Sequence, residues 1–144
     1  MHRPATYDDA NLLLRLYEMR REETMRKART WFRDEFKAQT FEEWQALCPS
    51  GTVENAYYRQ VTTYWEMACS LVDRGVLEPE LFIQNSLEHL MVWTKVSPVI
   101  GELRQRMNAP QMLRSLEKVA GLAKGWLDRQ GEGAAASFEA RFKS

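Results

Sequence analysis

The stretch VENAYYRQVTTYWEMACSLVDR, residues 53–74, constrains the fold more than any other part of the chain. Placed on a helix at about 100° per residue, Asn55, Arg59, Thr62, Thr63, Glu66, Ser70 and Asp73 gather on one narrow stripe. Val53, Ala56, Tyr57, Val61, Tyr64, Trp65, Ala68, Leu71 and Val72 cover the rest, with Tyr58 and Cys69 at the border. One neighbouring helix cannot cover so wide an apolar arc, so at least two others must pack against it. The segment is therefore predicted to be the spine of a core. Tyrosine and tryptophan suit that place because each buries a large area and needs one polar partner.

The rest of the chain punctuates itself as helix. Thr6 with Asp9 marks a start, with an acid in the first turn. No Pro or Gly follows before Phe36, which allows one long first helix. Thr40 with Glu43 reads as a capping box for a short helix that ends near Cys48, before Pro49. The spine follows and ends at Gly75, a left-handed cap residue, with Val76 placed for an apolar contact back to Leu71. Pro79 opens a fourth helix, and Ser97-Pro98 interrupts or restarts it. Asn108-Ala109-Pro110 opens the last one, to about Gln130. No alternating apolar run is long enough for a strand. The expectation is an all-α compact bundle of about five helices with a long N-terminal helix. It forms a single domain over residues 1–130, with a flexible tail over 131–144 in which Phe138 and Phe142 can pin a helical turn.

Composition excludes several classes of function. At 144 residues the chain fits one domain. Its 20 basic and 20 acidic residues cancel, so no overall field draws it to nucleic acid or anionic membrane. No apolar run approaches the roughly 20 residues that a spanning helix needs. The first residues meet charge too early for a secretory signal. Cys48 and Cys69 then read as reduced core thiols in a cytoplasmic protein. His2 lies in the terminus, and no Glu-x-x-His pair occurs, so no metal site is expected. Phosphate loops, dinucleotide fingerprints and nucleophile elbows are missing, and no cofactor is expected.

Three groups of residues remain as candidates. Tyr58, Arg59 and Glu66 could flank a polar pocket, although Arg59 and Glu66, with no nucleophile or histidine nearby, fit a solvated or interhelical stripe better. His89 falls at the edge of an apolar face, one turn before Trp93, as a hydrogen-bonded boundary residue or a catalytic base. On the first helix, Leu13, Leu14, Tyr17, Thr24, Met25, Ala28, Trp31, Phe32 and Phe36 follow one stripe that docks on the bundle. Leu12, Leu16 and Met19 lie on the opposite side at i, i+4 and i+7. That second patch needs cover, from the same chain or from a second copy in a homodimer. The intervening charges pair as Glu22 with Arg26 and Glu23 with Lys27, which makes a nucleic-acid surface unfavourable. Gly121 and Gly125, four apart on the last helix, are expected to allow one close backbone approach.

Tyr64-Trp65-Glu66, the run from Leu71 through Gly75 to Phe82, RKARTWF and LRSLEKV together resemble a family of small all-helical bacterial domains of unknown function, over about residues 12–120. The resemblance implies a helical fold and no activity or catalytic residues. The function expected is a cytosolic protein–protein interaction module that self-associates. A small-molecule-binding or enzymatic bundle with a pocket near Arg59 and Glu66 is the alternative. A nucleic-acid-associated regulator using basic residues of the first and last helices is the third reading.

Overall fold

The computed structural model describes residues 3–143, and the regular elements among them are all helices. They are α1 (Tyr7–Arg20), α2 (Glu23–Glu35), α3 (Phe41–Leu47), α4 (Val53–Asp73), α5 (Pro79–Asn85), α6 (Glu88–Arg106), α7 (Arg114–Gln130) and α8 (Ala134–Ala140). The all-α class holds, while the expected number of about five becomes eight. His2 lies outside the described residues.

Two of the added helices come from breaks that carry no usual cap residue. Glu22, at ψ 146°, interrupts the first helix. Its carboxylate accepts from the amides of Thr24 at 2.7 Å and Met25 at 3.2 Å, capping α2. Ser86, extended at φ −157°, separates α5 from α6. By contrast, Ser97-Pro98 does not interrupt α6. Proline leaves the carbonyl four residues back without its helical donor. That carbonyl belongs to Thr94, and the Ser97 hydroxyl donates to it at 3.1 Å. The eighth helix lies in the C-terminal segment, where Ala135 and Phe138 are buried and the Phe138 and Phe142 rings lie 5.2 Å apart.

Two Schellman turns close long helices. At Gly75, φ 79°, the Val76 amide donates to Leu71 O at 2.9 Å. Val76 stays 56 % exposed, and Leu77 is the residue buried after the turn. Asn108, φ 50°, does the same for α6, with the Ala109 amide donating to Arg104 O at 2.9 Å. α7 therefore begins at Arg114, six residues later than the sequence suggests.

α4 is the spine. It packs mainly between α2 and α7 and also touches α5 and α6. Tyr58, Val61, Trp65, Ala68, Cys69 and Val72 are its buried face. Phe32 stacks on Phe36 at 4.7 Å, and Phe36 on Tyr58 at 5.5 Å. Trp65 meets Tyr64 edge-on at 4.9 Å. Arg3 ties the chain start to this frame through two bonds to Asp9, at 2.6 and 2.7 Å. Asp9 also accepts from the Thr6 and Glu78 amides, and the guanidinium holds its carboxyl far below the ordinary range. The close approach expected at Gly121 and Gly125 is not there. A Cβ at Gly121 would meet nothing within 4 Å, and one at Gly125 only the Arg129 side chain at 3.5 Å.

Candidate functional site

Tyr58, Arg59 and Glu66 share α4 but not a site. Glu66 turns to α7 and accepts from the amides of Leu116 at 2.8 Å and Ser115 at 3.3 Å. The first turn of α7 has no side-chain cap of its own, because left-handed Leu113 precedes it. The Glu66 carboxylate fills that role from another helix, where the helix dipole favours an anion. Asp73, on the same stripe, pairs with Lys118 at 2.7 Å. The lower half of the stripe is thus an interhelical seam.

The upper half borders a cleft of about 620 Å³ between α3, α4 and the end of α6. Phe41, Trp44, Leu103, Met107, Met112 and Leu113 supply most of its apolar wall. Arg59 stands at the rim, where its Nε donates to Asn55 Oδ1 at 2.9 Å. Trp44 meets the Tyr58 ring edge-on at 5.6 Å, and its buried indole N–H makes no well-formed hydrogen bond, only a loose approach to the Tyr58 hydroxyl. Burial raises the Tyr58 phenol well above its ordinary pKa, so it remains a donor at neutral pH. The structure therefore brings together Tyr58 and Arg59 and adds Trp44 and Leu113, which sequence reasoning missed. No local pattern marks these two, since they arrive from separate elements.

The interface residues expected on α1 are redistributed. Leu16 is only 6 % exposed and lies in the chain's own core; its carbonyl accepts the Tyr64 hydroxyl. Leu12 is half-buried against the same core, and Met19 is exposed on the flank facing α4. Leu12, Leu16 and Met19 consequently form no exposed stripe. The outward residues include Leu14 and Tyr17, 59 % and 46 % exposed, which the sequence reading had docked inward. The error is one of phase. A stripe running straight from α2 into α1 fails because the break at Glu22 resets the helical register.

Residues 5–126 match the family described as Domain of unknown function (DUF4760). The chain belongs to that family. The family's span covers α1, the cleft and most of α7, and α8 lies beyond it. The resemblance to a family of unknown function thus holds. No curated protein and no solved structure matches the chain.

Other titratable groups in this family member are shifted by burial or held in ion pairs. His89 is fully buried rather than at a boundary, with its ring 5.1 Å from that of Phe82. Burial lowers its pKa to about 4, leaving it neutral near pH 7. Burial also pushes the Cys48 thiol up to about 11 and raises Cys69, so neither thiolate forms readily. Glu88 is held by Arg29 at 2.7 Å and Arg20 at 3.4 Å, which neutralises part of the basic surface of α1 and α2. Among the described residues, no group of three or more His, Cys, Asp or Glu is placed to hold a metal ion. No helix there is long and apolar enough to cross a membrane.

Proposed function

We propose that the protein is a non-catalytic interaction module that self-associates, two copies packing the outer faces of α1 antiparallel across a two-fold axis. One observation carries this reading. Of the eight large apolar side chains exposed among the described residues, Tyr7 and Leu14 share one stripe of α1, Tyr17 borders it, and Met19 lies on the flank facing α4. Tyr7 is 81 % exposed. Tyr7, Asn11, Leu14 and Glu18 follow the i, i+4, i+7, i+11 spacing of a helix-packing seam. Asp8 and Arg15 lie on one flank of that seam, and both are exposed. Neither forms an ion pair within the described residues. In an antiparallel pair equivalent flanks meet. Asp8 of each copy then faces Arg15 of the other, while each Tyr7 ring enters the gap between Leu14 and Glu18 of its partner. The neutral, buried His89 and the protonated thiols support a binding role over a catalytic one.

A contact built on one short helix is at the small end of specific interfaces, so dissociation on the order of micromolar is expected. Light scattering should give twice the monomer mass at about 100 μM and a falling mass on dilution. Leu14 is 59 % exposed, so Leu14→Glu places a solvated charge on the seam. It should be monomeric throughout with unchanged thermal stability. A parent protein that is monomeric at every concentration, or a variant of unchanged mass, contradicts the proposal.

A further inference from the structure

The cleft beside α4 is independent of the α1 face, and its chemistry is one-sided. Its walls are apolar and aromatic, and no Asp or Glu lines it. The charged residue of its lining is Arg59, which carries donors alone. The Trp44 indole N–H is buried with no well-formed hydrogen bond, only a loose approach to the Tyr58 hydroxyl. The Tyr58 phenol is buried and protonated. Arg59 commits its Nε to Asn55, and neither of its terminal nitrogens makes a hydrogen bond to the described residues. Gln45 and Ser50 add neutral side chains that can accept as well as donate. Thr62 and Thr63 turn their hydroxyls back to the Tyr58 and Arg59 carbonyls, at 2.9 and 2.6 Å. Asn55 accepts from Arg59 and donates to Cys48 O at 3.0 Å. A buried donor without an acceptor costs stability until something supplies one.

We infer that this cleft binds a small amphipathic carboxylate, with its apolar body against Trp44, Met107, Met112 and Leu113 and its carboxylate at Arg59. The volume of about 620 Å³ lies within the range of small-molecule sites. A planar guanidinium with two free terminal nitrogens matches a carboxylate in bidentate fashion. Methionines at positions 107 and 112 give one wall a deformable surface, suited to bodies of varied shape. Leu113, held at φ 56°, is in a backbone conformation rare for a bulky residue, and it contributes its side chain to the same wall.

Decanoate is the probe, with decanol and decylamine as matched neutral and cationic controls. Calorimetric titration should show one decanoate per chain with a dissociation constant in the micromolar range. Both controls should bind at least about tenfold more weakly, the scale of one lost charge-assisted pair. Arg59 is exposed, so Arg59→Gln keeps the fold, which its melting temperature verifies. It should weaken decanoate by about tenfold and leave decanol unchanged. The Trp44 indole N–H resonance, assigned by Trp44→Phe, should move during the decanoate titration. Absence of binding up to about 1 mM overturns the inference. So does equal affinity for decanol, an unaffected Arg59→Gln, or a stationary Trp44 resonance. Leu14→Glu should bind decanoate as the parent does, which separates this site from the α1 face.

Discussion

Replacing Glu66 with alanine removes the cap of α7 from a distance of some 50 residues in sequence. Two amides, those of Ser115 and Leu116, lose their acceptor. A lost N-cap typically costs about 1 kcal/mol and up to about 2. The favourable interaction of the carboxylate with the helix dipole adds about 0.3–1 kcal/mol. Glu66 is half-buried, so water replaces part of what is lost, and the net expectation is about 2 kcal/mol. Unfolding entropies of about 2.1 cal/mol/K per residue convert this into a fall in melting temperature of about 6 °C for the whole chain. Glu66→Gln keeps an acceptor and loses the charge, so it should fall about half as far. Ser70→Ala, on the same stripe but bonded only within its own helix to Met67 O, is the control and should shift the midpoint by less than about 2 °C. Melting followed by circular dichroism measures all three. Hydrogen exchange at Ser115 and Leu116 should accelerate in the alanine variant. An alanine variant melting within about 1 °C of the parent, with those amides still protected, refutes the capping role.

Two further outcomes follow from burial and from open space. The folded pKa of His89, about 4, lies below the unfolded value of 6.5, so the unfolded chain binds more protons between these values. Stability from this residue is complete above pH 6.5 and is lost as pH falls towards 4, at up to about 1.4 kcal/mol per unit. Denaturant unfolding at pH 7 and pH 5 should differ by about 2 kcal/mol, and His89→Leu should flatten that difference; an equal slope in the variant removes His89 as its source. Gly121 sits inside α7 facing open space, so Gly121→Ala should stabilise by about 0.5–1 kcal/mol, read as a rise of a few degrees in the melting temperature. A fall would mean that the helix meets an unseen neighbour there.

What could be read from the sequence was local. Thr6 and Thr40 cap α1 and α3 through their own first-turn amides, Pro79 opens α5, and Gly75 closes α4 through bonds within six residues. Such signals lie within one turn of chain, and they placed three helix starts and one end correctly. The breaks at Glu22 and Ser86-Leu87 were missed because glutamate caps α2 and no side chain caps α6. The first break shifts the phase of α1, so that Leu16 turns inward and Leu14 outward while Leu13 still packs on the core. At the candidate site, the periodicity of α4 put Arg59 and Glu66 on one stripe, and that was accurate. It could not show that α7 docks against the lower end of the stripe and the 107–113 turn against the upper end. Those partners are 40 or more residues away, and only the tertiary fold sorts a shared stripe into a cap and a cleft.

The central claim is the antiparallel pairing of α1, and its register can be measured. Cys48 and Cys69 are buried, so a surface cysteine is the reactive thiol in each single variant. In the proposed pair, position 8 of one copy meets position 15 of the other, while two copies of position 8 are offset by about 10 Å along the helix. An oxidised equimolar mixture of Asp8→Cys and Arg15→Cys should give a disulfide-linked species of twice the monomer mass, and either variant alone should give far less. Equal cross-linking in the mixture and the single variants, or none in any sample while the parent remains dimeric, contradicts the pairing.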